Sequence, residues 1–378
     1  MKKSQQAILS QLCAYLDDLH SMPQYQYVQM QEMGFKIYTD TPEAVRFCIE
    51  YLAPYFVAMN EEIPVLKCAL EIYFKDIASS PVIKYIFDYI EYVCLRDPPH
   101  LFNFDEEHFI GSTFPGSQLR LIYSPHKRDI FTFVDLQKPV IYILDAKSFP
   151  QVAQFTLIRV LRNLARYRVE HSTHYPLHAA AISLKGYSVL MTGEKYAGKT
   201  TMLTMLLTYT QAQFISNDRV SLDRDTYQVL GWPYSPGVRA GTIQMNILLQ
   251  RYFQQLRNDP YPFNHVTKDT FRFPPQTFCQ IFQKEIVPRA ELQLIINPVY
   301  DAEILHPVAT CLSSEKTFRL LTSQAQQSLF YDPWWQPMHS QDTEDKYYQK
   351  VAHLFPVIEI RQNEHMLRET CKLIVDLC

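Results

Sequence analysis

Glycine is scarce in this chain, with 9 among 378 residues, and its 24 prolines are likewise too few for a low-complexity or disordered protein. No C-x-x-C pair occurs among the eight cysteines (Cys13, Cys48, Cys68, Cys94, Cys279, Cys311, Cys371 and Cys378), and most stand among apolar neighbours. That pattern fits reduced, mostly buried thiols rather than a disulfide framework or a zinc site, and the compartment it predicts is the cytoplasm. An excess of one charge is missing too. The 36 basic and 39 acidic residues leave a formal net charge of −3, which gives no global electrostatic basis for binding nucleic acid. No apolar run approaches the roughly 18 residues of a membrane helix. The Met1-Lys-Lys-Ser-Gln-Gln start continues as a polar amphipathic helix without the apolar core of a signal peptide, so no membrane partner is expected. What is plentiful is apolar and aromatic residues, 47% and 13%, ample for real cores. At about 150 residues per domain the length suggests two domains, or three.

Apolar spacing divides the chain further. Residues 5–20 read as a helix with Ile8, Leu9, Leu12, Leu16 and Leu19 on one face. Gly34-Phe-Lys-Ile-Tyr38 reads as a strand, Thr41 as a helix N-cap with Pro42 at the first helical position, and a helical stripe runs from Ala44 to Met59. Residues 65–74 suit a strand or a helix. Three alternating runs at 119–123, 130–134 and 140–144, separated by the turn signals Ser124-Pro-His-Lys-Arg and Gln137-Lys-Pro, predict an antiparallel meander. A helix over 149–168 follows, and Pro176 is read as a break. Two strands then join through Lys185-Gly186 in a hairpin-like arrangement. Short strands at 212–216, 220–222 and 228–230 lead into the turn-rich Gly231-Trp-Pro-Tyr-Ser-Pro-Gly237. Strands at 291–296 and 357–361 and a helix over 365–377 complete the pattern, with no internal repeat. The fold class expected is α/β, an N-terminal α+β domain over 1–147 and a nucleotide-binding domain over 148–378.

Residues Gly193-Glu-Lys-Tyr-Ala-Gly-Lys-Thr-Thr201 form a complete G-x-x-x-x-G-K-[ST] phosphate loop. The apolar run Tyr187-Ser-Val-Leu-Met-Thr192 precedes it as a strand, and helical spacing follows from Met202. In such a loop the backbone N–H groups of Gly193, Glu194, Lys195, Tyr196, Ala197, Gly198, Lys199, Thr200 and Thr201, with the helix N-terminus, face the phosphates, and the two glycines allow close approach. Lys199 would reach the β- and γ-phosphates of a nucleoside triphosphate, and the Thr200 hydroxyl would join a Mg²⁺ shell. A typical phosphate-loop hydrolase also carries an aspartate after a run of apolar residues, whereas Leu292-Gln-Leu-Ile-Ile296 ends in an amide at Asn297. The nearest acidic candidate for metal or proton is Asp218, directly after strand 212–216. If the strands run parallel, their C-terminal ends share an edge, and Asp218 could accept a hydroxyl proton or orient water there. The competing reading makes Asp218 a turn cap.

His178-Ala-Ala-Ala-Ile-Ser-Leu, the loop, and Phe214-Ile-Ser-Asn-Asp-Arg-Val220 together resemble the catalytic domain of HPr kinase/phosphorylase, whose phosphate-loop domain is akin to that of phosphoenolpyruvate carboxykinase. The chain as a whole is similar to HPr-kinase-related proteins of ribosomal-peptide maturation, including the lasso-peptide kinases, over most of 35–370. Only the motifs in 178–220 are specific. The resemblance implies ATP and Mg²⁺ as cofactors, a peptide or protein Ser/Thr hydroxyl as acceptor, and a homo-oligomer as one expectation. By motif, Lys199 binds phosphates, Thr200 the metal, and Asp218 matches the second acid of a pair as general base and metal neighbour. His178 polarises the site, and Arg239 in Gly-Val-Arg-Ala-Gly-Thr stabilises transferring charge. Two departures stand out. Asn217 replaces the first acid, and Gly237-Val238 replaces the acid before the arginine, which puts the reverse reaction in doubt while one base and one metal suffice for the forward one.

Other groupings carry blander readings. His171, His174 and His178 share no regular face with Pro176 between them, so surface or turn roles are expected rather than zinc. Early tyrosines (Tyr25, Tyr27, Tyr38, Tyr51 and Tyr55) suit peptide surfaces but more simply core and rim packing. Trp334-Trp335 reads as an apolar loop anchor. Two further functions fit the same loop: a non-catalytic nucleotide-binding regulator, and a kinase of a small hydroxylated metabolite.

Overall fold

Alternating and helical apolar patterns turn into two separate bodies in the computed structural model. It describes residues 2–30, 33–59, 69–94, 100–104, 107–113, 119–123, 130–135, 140–146, 150–256, 265–267, 270–328 and 341–378. The division is a mixed α/β one, with a first unit drawn from Met1–Ala165 and a second from Arg166–Leu329 and Pro337–Cys378. The turns at 124–128 and 137–139 and the Trp334-Trp335 pair lie outside the described residues.

In the first unit, helices α1 (Lys2–Asp18), α2 (Pro42–Leu52) and α3 (Val82–Cys94) accompany nine strands. These are β1 (Tyr25–Met30), β2 (Met33–Thr39), β3 (Val57–Met59), β4 (Ala69–Asp76), β5 (His100–Phe104), β6 (Glu107–Thr113), β7 (Leu119–Tyr123), β8 (Ile130–Asp135) and β9 (Val140–Asp145). Their order is β3-β1-β2-β4-β9-β8-β7-β6-β5. The meander β7-β8-β9 is antiparallel, as the turn signals require, while β2, β4 and β9 pair parallel. Leu12, Leu16 and Leu19 pack with Val82, Ile86 and Ile90 over the sheet. The helical stripe expected to reach Met59 stops at Leu52, because Pro54 has no N–H to continue the ladder and 57–59 pair with β1 instead. Thr41 holds the N-cap position without a capping bond from its side chain; its own N–H goes to Thr39 Oγ1 at 2.9 Å. The tyrosines are packing residues. Tyr25, Tyr38, Tyr73 and Tyr142 form one row across β1, β2, β4 and β9, with Tyr38 stacked on Tyr73 at 4.6 Å. His20 meets the Tyr73 and Tyr142 hydroxyls at 2.7 and 2.9 Å.

Helix α4 (Pro150–Ser172) leads into the second unit. There β10 (His174–Leu177), β11 (Ala179–Leu184), β12 (Tyr187–Thr192), β13 (Gln213–Ser216), β14 (Val220–Asp223) and β15 (Gln228–Gly231) precede a small sheet. That sheet has the order β16-β18-β17, from β16 (Gly237–Arg239), β17 (His265–Thr267) and β18 (Thr270–Arg272). The main sheet is completed by β19 (Arg289–Tyr300), β20 (Val308–Cys311) and β21 (Val357–Gln362). Its helices are α5 (Lys199–Tyr209), α6 (Ala240–Met245), α7 (Ile247–Leu256), α8 (Pro275–Phe282), α9 (Ser314–Ser328), α10 (Gln341–Leu354) and α11 (Leu367–Leu377).

The main sheet runs β10-β14-β15-β19-β12-β11-β13, with β21 on β19 and β20 beyond it. Strand β12 is parallel to β19, and β19 to β21, so three strands end toward one edge. Leu203 and Leu206 of α5, Phe278 of α8 and Ile374 of α11 cover one face. Leu321 of α9 and Tyr348 and Val351 of α10 cover the other. Lys185 and Gly186 turn β11 into β12 with φ of 54° and 90°. Pro176 breaks nothing: it sits inside β10, a strand at the end of the sheet order, where a residue without an N–H is tolerated.

One close approach ties this sheet together. A Cβ built on Gly231 would lie 2.3 Å from the Ile215 carbonyl oxygen, so only glycine fits where β15 passes the end of β13. Gly231→Ala is expected to destabilise the protein by about 1–3 kcal/mol, the usual cost of overpacking a filled site, read as a lower midpoint in urea denaturation.

Candidate phosphate-binding site

The loop begins where β12 ends. Gly193 takes φ of 147° and Gly198, at the N-cap of α5, φ of 96°, both open to glycine and closed to most residues. A Cβ on Gly193 would fall 2.4 Å from Asn297 Oδ1, whereas one on Gly198 would meet nothing within 4 Å. The loop is therefore pressed against β19 on one side and open above its helix end. The amide at Asn297, noted from sequence only for not being an acid, turns out to be the neighbour against which the loop's first glycine is packed.

Lys199 is buried, and its Nζ donates to the Gly193 and Glu194 carbonyls at 2.7 and 3.2 Å. Burial lowers its pKa below the usual lysine value, and the Asp218 and Glu194 carboxylates oppose that shift. The ammonium and the Asp218 carboxylate thus act on each other within one site. Thr200 Oγ1 donates to Asn217 Oδ1 at 3.3 Å. Asn217 is fully buried, and its Nδ2 has no partner among the described residues.

Asp218 reaches this edge by a route that local pattern does not reveal. Strand β13 is not the neighbour of β12; β11 lies between them and is antiparallel to both. Two reversals make β13 and β12 run the same way, so the Asn217-Asp218 turn arrives at the loop's end of the sheet. Asp218 has φ of 72°, a left-handed conformation that Asp and Asn tolerate better than most residues. The turn is held by Ser216, whose Oγ lies 2.7 Å from the Arg219 carbonyl and 2.9 Å from the Trp232 carbonyl and accepts the Trp232 N–H at 3.3 Å. Trp232 is fully buried, and its Nε1 donates to Ser221 Oγ at 2.7 Å, which donates in turn to Glu170 Oε1 at 2.7 Å. The Gly-Trp-Pro segment is therefore a support for the acid's turn.

His178, just before β11, is drawn in as well: Thr192 Oγ1 donates to its carbonyl at 3.1 Å. Burial pushes its imidazole pKa down to about 4, and the nearby Lys199 and Arg219 cations add to the shift. Arg219, which sequence reasoning passed over, packs on the Tyr234 ring at 5.1 Å. Arg239 is exposed at the end of β16 and stands over the Tyr196 ring at 4.1 Å, with Lys195 5.5 Å from the same ring. His174, expected at a surface or turn, is buried in β10 between Thr173 Oγ1 at 2.7 Å and Asp223 at 3.9 Å. The side chain of His171 is outside the described ones.

These residues fit a magnesium nucleotide. The loop is open above Gly198, a lysine amine stands among its carbonyls, and a buried amide donor beside Thr200 has no hydrogen-bond partner among the described residues. Thr200 has its hydroxyl hydrogen on Asn217, which leaves an oxygen lone pair for a cation.

No family model matches the chain, and no curated protein matches it either. Among solved structures it is similar to the Hpr(Ser) kinase/phosphatase from Coxiella burnetii, at 14% identity and a TM-score of 0.24, over 53% of this chain and 92% of that one. A likeness that distant leaves the reading of the site to its own residues.

His178 provides a direct check of the site's electrostatics. Its folded pKa lies below the unfolded value of about 6.5, so the unfolded chain binds more protons between them. Its contribution to stability is present above about pH 6.5 and is lost as pH falls toward 4. Its imidazole NMR signals are expected to hold their neutral shifts down to about pH 5; a titration near 6.5 would place it in water instead.

Proposed function

We propose that the protein is an ATP-dependent, Mg²⁺-requiring phosphotransferase of the HPr kinase type. Its acceptor is a serine or threonine hydroxyl on a peptide or protein, in the setting of ribosomal-peptide modification. This reading is supported by the joining of the phosphate loop, with its buried Lys199, to the Asn217-Asp218 turn, where Thr200 Oγ1 donates to Asn217 Oδ1 at 3.3 Å. Lys199 would bind the phosphates through its ammonium. Thr200, its hydroxyl donating a hydrogen bond to Asn217, would hold Mg²⁺, which when bound offsets charge on the phosphoryl group. Asp218 accepts the acceptor's hydroxyl proton, and His178 stays neutral and lends a dipole rather than a charge. Arg239 supplies a cation toward the transferring group.

With Asn217 uncharged, Asp218 is the acid of its turn, and a single base suits transfer in the forward direction. The same loss favours the second reading, a nucleotide-binding regulator that transfers nothing. A panel of Ser- and Thr-containing peptides and small alcohols, incubated with labelled ATP and Mg²⁺, separates them. Peptide labelling should fall about 10²–10⁴-fold in Asp218→Ala, with nucleotide affinity little changed, as removal of a general base requires. Lys199→Ala should instead weaken ATP use. Equal behaviour of wild type and Asp218→Asn, with no acceptor labelled, supports the regulator; labelling confined to small alcohols supports a metabolite kinase.

A further inference from the structure

Tyr196 is hard to explain as a packing residue. It is 72% exposed at the crest of the loop, and its backbone has φ of 74°, a left-handed conformation unfavourable for a bulky side chain. An aromatic ring gains little from burial in such a place. What it contacts is the Arg239 guanidinium, 4.1 Å from the ring centroid.

Arg239 is brought there by its own segment. It closes β16, pairs with Thr270 of β18 and opens α6. Helix α6 is fastened to the loop's helix by the Thr201 and Thr242 hydroxyls, 2.8 Å apart. The segment therefore meets the phosphate-binding element twice, at the first turn of α5 and at the loop crest. The backbone fixes where Arg239 begins, and the ring holds its guanidinium at the loop crest. A guanidinium held over an aromatic face retains N–H groups free to donate to phosphate oxygens.

We propose that Tyr196 is a positioning residue for Arg239, and that the cation–ring pair makes the loop prefer a nucleoside triphosphate over a diphosphate. The proposal rests on the nucleotide-binding reading of the loop. In phosphate loops the residues ahead of the lysine border the β- and γ-phosphates, so a cation held at the crest meets the oxygens that a diphosphate lacks.

Calorimetric titration of the full chain with ATP and with ADP, each with Mg²⁺, tests it without any acceptor. A cation–π contact of about 0.5–2 kcal/mol corresponds to a roughly 2- to 30-fold loss of ATP-over-ADP preference in Tyr196→Ala, with ADP affinity retained as the check on folding. Tyr196→Phe should keep the preference. Arg239→Ala should lose it, and Tyr196→Ala added to Arg239→Ala should cost nothing more. The proposal is overturned by a wild type without triphosphate preference, by equal weakening of both nucleotides in Tyr196→Ala, or by losses that add in the double variant. If the preference behaves as expected while no acceptor is ever phosphorylated, the kinase reading fails and this inference stands.

Discussion

The second unit depends on the attachment of the Asn217-Asp218 turn to Trp232. A buried hydroxyl, Ser216 Oγ, stands between the carbonyls of Arg219 and Trp232 and takes the Trp232 N–H. Gly231, with no side chain, lets β15 approach Ile215 closely enough for that contact. The indole then continues through Ser221 to Glu170, so a surface turn is tied to a buried polar chain. A carboxylate in a left-handed turn has several conformations open to it; this attachment leaves it few. Partly exposed charge and rigid backbone coexist because the rigidity comes from behind the turn.

The same sheet edge gathers groups of opposite electrical character. Lys199 is buried and made easier to deprotonate by its surroundings, and Asp218 and Glu194 oppose that. His178 is kept uncharged by burial and by two cations, so it adds no further positive charge. Asn217 is neutral, and its amide oxygen accepts the Thr200 hydroxyl bond without adding a second charge beside Asp218. With Asn217 an amide, Asp218 is the single acid of its turn, and Glu194 of the loop is the other carboxylate acting on Lys199.

Local chemistry made the loop legible. The spacing of Gly193, Gly198, Lys199 and Thr200 requires a strand before and a helix after, and both are there. The hairpin through Lys185-Gly186 and the meander of the first unit were readable for the same reason, since tight turns and alternating residues act over short distances. Pairings between distant segments were not. Nothing in residues 179–216 announces that β11 separates β12 from β13, or that the resulting double reversal still brings Asp218 to the loop's end. Pro176 reads as a breaker because its neighbours do not reveal that β10 lies at the end of the sheet order. Trp232 and Asn297 read as a turn residue and a missing acid. Their real contacts, Ser216 and Gly193, are supplied by strands far away in sequence.

The central claim is that loop and turn form one nucleotide-handling site. A crystal structure of the full chain with Mg²⁺ and a non-hydrolysable ATP analogue tests it most directly. The β- and γ-phosphates are expected within hydrogen-bond reach of Lys199 Nζ and the loop N–H groups, the cation at Thr200 Oγ1, and the Asp218 carboxylate facing the terminal phosphate. Phosphates bound away from residues 193–201, or a terminal phosphate with Asp218 turned from it, would show that loop and turn are not one site.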